Sequence, residues 1–285
     1  MHSSLGEIHS ASTRVFREPR RPAGMNGSAT KTTVAYAGQT LHLELKRGDL
    51  TLLAGNWTAD IAFDGEPVAA ISDFEETCWV SDKDVNYLEL EIHLAGDLRL
   101  ERHVVYARQD QLVFLADAIF GPRSGKIEYR GRLPLAADVQ FEADSEHTEG
   151  AIVANKRMAT VLPPALPEWR TPRNTGDLEM RDGKIELALT ATGRNLFAPL
   201  LFDLNARRFN KPLTWRQLTV AETLTIQPPD SSVGYRVKIG KEQWLIYRSL
   251  SPKANRTLLG HNLSSEFLFA RFMKGGVVQS LIEVE

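Results

Sequence analysis

In NYLELEIHL, residues 86–94, the apolar residues Leu88, Leu90, Ile92 and Leu94 alternate with Tyr87, Glu89, Glu91 and His93. A period of two puts the first set on one face of an extended strand and the second set on the other. Such a strand buries one face and shows the other to water. The same alternation runs through LHLELK at 41–46, KIELALTATG, EQWLIYRS and SEFLFARFM, and no segment carries a helical stripe over three turns. Turn signals separate the runs: AGD at 95, GPRSG at 121, RDG at 181, KIG near 240 and KGG at 274. A sheet with one apolar face must cover it with another layer. The chain is therefore expected to be all-β, a large antiparallel β-sandwich of about 15 to 20 strands.

Residues 1–32 are rich in Ser, Arg and Gly, show no period, and include the basic REPRRP; they are expected to form a disordered tail. No linker divides residues 33–285, which are read as a single sandwich domain, and no internal repeat suggests a propeller or solenoid. The prolines of VLPPALPEWRTPRNTGD, residues 161–177, mark a long irregular connection, a kind of segment that often carries function.

Lys and Arg number 34 against 36 Asp and Glu, so the net charge is -2, a balance that argues against nucleic acid as the main partner. Cys78 is the one cysteine, which excludes an internal disulfide and any CxxC motif. No apolar run is long enough to cross a membrane as a helix, and the N-terminus lacks the apolar core of a signal peptide. Cytoplasmic location is the default expectation, with no membrane partner.

The stretch LRLERHVVYARQDQLVFLADAIFG, residues 98–121, reads as a hairpin. Arg102 shares a face with Leu98, Leu100, Val104 and Tyr106, while Glu101 and His103 point the other way, outward. The second strand is apolar at almost every position except Asp117, so both its faces are expected to be covered. A two-residue turn at Gln109–Asp110 sets Arg102 opposite Asp117; a four-residue turn leaves them diagonal, and a three-residue turn puts them on opposite faces. An arginine among leucines needs a partner, because an unpaired buried charge costs several kcal/mol. A buried ion pair that closes the sandwich is favoured over a polar cleft bordered by the two residues.

Catalytic and metal motifs are sparse. There is no GxSxG elbow, P-loop, HExxH or strand-linked GxGxxG. DKDVN, residues 82–86, begins like a calcium loop, but Tyr87 stands where glycine is required and His93 where glutamate is, so a turn capped by acidic side chains is expected. None of the seven histidines, at 2, 9, 42, 93, 103, 147 and 261, shows metal-ligand spacing with another, and neither a metal site nor a cofactor is expected. His103, beside Arg102, and His261, in a polar insertion before an apolar strand, are the two to watch. The segment EETCWVSDKDVNY combines acids with Trp79 and Tyr87 in a loop-like stretch, and aromatic faces with acids are what sugar rings and hydroxyls require. Trp169, in the Pro-rich connection, is the tryptophan expected to be exposed; Trp57, Trp215 and Trp244 fall in strands and are expected in the core. Arg207, Arg208 and Lys211 form a basic turn, read as solvated.

ERHVVYARQDQLVFLADAIFG, preceded by YLELEIHLAG and followed by VGYRVKIGKEQWLIYRS, resembles the C-terminal β-sandwich of heparinase II/III-type polysaccharide lyases over residues 40–285. The shared features are a basic residue on one strand, a turn, and an apolar strand ending in Asp and Gly. A galactose-mutarotase-like supersandwich is similar in topology. In those lyases a large helical toroid carries most catalytic residues, and about 40 residues before the first strands leave no room for one, so no toroid residue carries over. The resemblance implies a carbohydrate-associated domain, accessory and non-catalytic, with an oligo- or polysaccharide as partner. An alternative is a sugar-active enzyme, a mutarotase-like epimerase or a lyase, using His103 or His261 with Glu266 or Tyr87. Another is a structural or protein-interaction module. The residues expected to contact a saccharide are Trp79, Tyr87, Arg102, His103, Trp169, His261 and Glu266.

Overall fold

Alternation does produce strands throughout: the computed structural model describes residues 11–17, 29–173 and 175–285, and among these residues it has twenty-four strands and no helix. The strands form four antiparallel sheets. The first runs in the order Ser12–Arg17, Thr30–Ala37, Thr40–Arg47, Leu50–Asn56. The central sheet has eleven strands, built on Glu75–Ser81, Val85–Leu94, Leu98–Ala107, the 23-residue Leu112–Pro134 and the 20-residue Lys184–Asp203. The third sheet contains Leu213–Leu218, Ser232–Ile239, Glu242–Ser249, Phe267–Phe272 and Val278–Val284. The last has four short strands, among them Val220–Glu222 and Arg256–Leu258. No helix in the described residues is long and apolar enough to cross a membrane.

Three apolar cores lie between these sheets. Leu41, Leu43 and Leu45 of the first sheet pack with Leu88, Leu90, Leu100 and Val104 of the central one. The opposite face of the central sheet presents Tyr87, Val105 and Phe114 to Trp244, Ile246, Phe267 and Phe269 of the third sheet. The third sheet turns Tyr247 and Leu268 toward Val220, Leu258 and Leu263. Each such side chain removed from water contributes about 1.5–3 kcal/mol. The face of Val85–Leu94 and Leu98–Ala107 expected to meet water is thus covered over most of its length, and only its far end, at His93, is exposed. The alternation hides a second core because the residues that cover it follow more than a hundred positions later in the chain.

The central hairpin joins Ala107 to Leu112 through four residues, and Arg102 still stands directly opposite Asp117. A turn lengthened equally on both arms keeps the register of the two-residue turn inside it, so the expected diagonal does not arise. The expected turn GPRSG at 121 is instead a register shift between Phe120 and Gly125 inside one continuous strand, where the strand leaves Leu98–Ala107 and takes Thr58–Phe63 as its partner. The RDG signal does make a turn: Asp182 and Gly183, at φ 48° and 70°, link Gly176–Arg181 to Lys184–Asp203 as a two-residue hairpin loop needing positive φ at both positions.

Most of the expected tail, residues 1–10 and 18–28, lies outside the described residues. Ser12–Arg17 corrects that reading within it: this strand pairs in register with Thr30–Ala37, so sheet structure starts before residue 33. Phe16 is its buried anchor, and Arg14 is held by Glu76 through Nε–Oε2 at 2.8 Å and Nη2–Oε1 at 2.5 Å.

Candidate functional site

A groove of about 440 Å³ opens where the loop after Gln140–Ala143 meets the Pro-rich connection. Asp144 makes the local turn: its Oδ1 accepts the backbone N–H groups of Glu146 at 2.9 Å and His147 at 2.8 Å. These bonds hold the Asp144 carboxyl below the usual range. The connection is strapped to this loop by Thr148 N–H donating to Glu168 O at 2.8 Å, Thr148 Oγ1 to Pro167 O at 2.6 Å and Arg170 N–H to Glu146 O at 2.8 Å. The straps set the Trp169 and His147 rings together, centroids 4.3 Å apart, with Trp169 57% exposed. Glu168 turns back toward the third sheet and accepts from Trp215 N–H at 2.6 Å.

Both signs of charge line the groove, with Asp144 and Glu149 on one side and Arg157 and Lys211 contributing cations. Burial pushes the Glu149 carboxyl up. Arg208, expected in a solvated turn, is instead buried against Asp203, Nη2–Oδ1 2.6 Å, with its guanidinium over the Trp244 ring at 4.8 Å. An exposed indole face among donors and acceptors can stack on a pyranose ring and bind its hydroxyls.

A second polar cluster sits between the central and third sheets. Tyr87 Oη lies 2.9 Å from His103 Nδ1 and also donates to Glu89, whose other oxygen accepts from Thr77 Oγ1 at 3.0 Å. His103 Nε2 is 3.7 Å from Glu101 Oε2, the same oxygen that Arg248 binds, and Arg99 holds Glu101 Oε1 at 2.5 Å. His103 is fully buried and stacks on Phe267 at 5.5 Å. Burial, reinforced by Arg248, takes its pKa down to about 3. Burial likewise pushes Glu101 up to about 7, against the pull of Arg248 and Arg99. A histidine, a tyrosine, carboxylates and an arginine thus meet here, but the imidazole is fully buried. Glu101 and Arg248 border a separate cavity of about 380 Å³, which Glu266 also lines.

The remaining expected site residues scatter. Arg102 is buried on the opposite face from His103: its Nε donates to Asp117 Oδ1 at 2.9 Å and its Nη1 to Trp57 O at 2.6 Å. Tyr129 Oη completes this network on Asp117 at 2.8 Å. The charge next in sequence therefore does not govern His103; Arg248, from another sheet, does. Tyr87 is buried and cannot stack on a sugar, because Phe267 of the third sheet covers it. Trp79 is half-buried, edge-on to Phe16 at 5.2 Å. His261 bonds Gly276 O at 2.8 Å in the small fourth sheet, away from the other candidates. Trp57, Trp215 and Trp244 are buried, and Asp82 caps its turn by accepting Asp84 and Val85 N–H at 2.7 Å. Of the expected residues only Trp169 lines the groove; Asp144, His147, Glu149 and Glu168 were missed, although the spacing D-x-x-H-x-E in DSEHTE was there to be read.

No family model matches the chain, and no curated protein matches it. Solved structures do. The heparan sulfate lyase HepC from Pedobacter heparinus is similar with a TM-score of 0.55 and 11% identity, over 84% of this chain and 41% of that one. A heparinase III with methylated lysines is similar at a TM-score of 0.52 and 10% identity, over 83% of this chain and 40% of that one. The likeness is one of fold: this all-β sandwich has the architecture of a part of those lyases. The chain spans about two fifths of the length of each.

Proposed function

We propose that this chain is a carbohydrate-binding β-sandwich, accessory in role, whose groove at Trp169 seats a saccharide. The observation that carries the reading is the exposed indole of Trp169, fixed by backbone straps from both sides and set among charged side chains. The fold shared with a heparan sulfate lyase supports a polysaccharide, and Arg157 and Lys211 offer an acidic one cationic partners in a groove that Glu142, Asp144 and Glu149 also line. The accessory role is supported by the sealed position of His103: a general acid or base must come within about 3 Å of the proton it moves. The catalytic alternative draws on the same cluster, where Tyr87, His103 and Glu101 already lie within reach of one another.

A thermal-shift series against uronate-containing and neutral oligosaccharides tests the reading, since a ligand of the folded state raises the melting temperature by mass action. A rise with one saccharide class in the wild type, lost in Trp169→Ala, is expected. Absence of any shift at millimolar saccharide sinks it. Release of unsaturated uronate, followed by ultraviolet absorbance, would overturn the accessory role in favour of a lyase.

A further inference from the structure

We propose that the groove also holds one divalent cation of the zinc class, bound by Asp144, His147 and Glu149. Each of the three offers one ligand atom, and these atoms lie within 4.8 Å of one another. The set is mixed, two carboxylates and an imidazole, which suits zinc and its neighbours; calcium prefers a shell of oxygens alone. Glu149 supplies a second, independent observation. Its Oε2 is shut off from solvent and has no hydrogen-bond partner. A desolvated carboxylate oxygen without a donor is unfavourable, and a cation bound there would supply the missing partner.

The local frame favours this use. Ligand atoms at about 2.0–2.2 Å from zinc stand roughly 3.4 Å apart, so the three side chains need to close by about an ångström. Asp144 is exposed and His147 half-exposed, so both have that freedom, while the backbone beneath them is tied to residues 167–170. His147 Nδ1 now lies 3.2 Å from Asp144 Oδ1, an arrangement a shared cation would replace. Three protein ligands leave a further coordination position open to the groove, next to the Trp169 ring. A sugar carboxylate is the oxygen donor that fits beside Arg157 and Lys211. This part rests on the carbohydrate reading and sharpens it: with the cation bound, the groove selects uronate-bearing over neutral saccharides.

The test begins without sugar. Zinc chloride is titrated into the full chain in competition with a chromophoric chelator. One zinc ion per chain is expected, with affinity weakened in His147→Ala and in Glu149→Gln by more than the roughly 10–100-fold that loss of an outer-shell partner costs. The emission of Trp169 should change on zinc addition, and that change should vanish in Trp169→Phe while zinc uptake persists. No uptake at roughly 100 µM zinc (a binding free energy weaker than about −5.5 kcal/mol), or uptake indifferent to both variants, overturns the site. Binding of a uronate disaccharide and of a neutral disaccharide is then compared in zinc and in EDTA. Loss of uronate affinity alone in EDTA supports the selection, and equal affinity in both overturns it. Zinc uptake with no saccharide binding in either medium would refute the carbohydrate reading and leave the cation site standing.

Discussion

The polar side chains of the central hairpin and those of the groove are of the same kinds, histidine, carboxylate and arginine, yet their surroundings oppose one another. His103 lies between two sheets, stacked on Phe267, and burial keeps it neutral. His147 lies at a groove wall against an exposed Trp169. In the first case much of the polarity is paired internally, Tyr87 on His103 and Arg248 on Glu101, while His103 Nε2 and Arg248 Nε and Nη1 are buried without a hydrogen-bond partner. In the second Asp144 is exposed and His147 and Glu149 are only partly covered, although Glu149 Oε2 is itself shut off from solvent. Residue type does not separate a site from a structural network; what covers the residue does.

The largest test of the contrast is on the sealed side. Arg102→Met leaves Asp117 buried without its cation and should cost about 3–5 kcal/mol in urea unfolding. Adding Asp117→Leu should restore much of that loss; a double variant as unstable as the single one would show that the pair contributes beyond mutual neutralisation.

A smaller effect is expected from pH. The folded pKa of His103, about 3, lies below the ordinary 6.5, so its contribution to stability is fully present above pH 6.5 and is lost as pH falls toward 3. Glu101, raised from 4.5 to about 7, acts in the opposite sense and contributes stability as pH falls from 7 to 4.5. The two therefore offset each other between pH 4.5 and 6.5. His103→Phe removes one of them: relative to wild type, it should gain about 1.4 kcal/mol per pH unit as pH drops below 6.5. Parallel stability curves for the two proteins would mean that the imidazole is not sealed.

On the open side stability should hardly move. Trp169→Ala is expected to stay within about 0.5 kcal/mol of wild type, because the ring is largely exposed. Saccharide affinity should fall about tenfold, the worth of one aromatic stack of ~1.4 kcal/mol, as read by calorimetry. The smallest effect belongs to Lys211→Ala, about two- to threefold in affinity for an acidic saccharide, and it should disappear at high salt.

Local features were legible in the sequence. The strands Val85–Leu94 and Leu98–Ala107 follow from their alternation, whereas the facing of Arg102 and Asp117 stayed open among three turn lengths and is set by the observed hairpin register. The Asp182–Gly183 turn and the exposure of Trp169 in a proline-rich connection were readable for the same reason: each depends on neighbours within a few residues. The faces were not legible. Whether Tyr87 and His103 meet water is decided by Phe267, far along the chain, and a period of two says only that two faces differ. The groove was out of reach for a related reason, since residues near 144, 169 and 211 meet only once the sheets have stacked. Asp144, His147 and Glu149 lie in a loop, where their D-x-x-H-x-E spacing and not a strand period is the one local mark.

The stacking order has a consequence for how the chain is made. On a ribosome the hairpin of Leu98–Ala107 and Leu112–Pro134 emerges well before Leu213–Leu218 through Val278–Val284, the strands that cover its second apolar face. At about 5–20 residues per second that face stays bare for on the order of 10 s, long enough for nascent copies to associate through it. The polar set Tyr87, Glu89, Glu101 and His103 occupies that same waiting surface. While it is still wet these side chains are hydrated and ionisable, and they are buried only when the strands of the third sheet arrive.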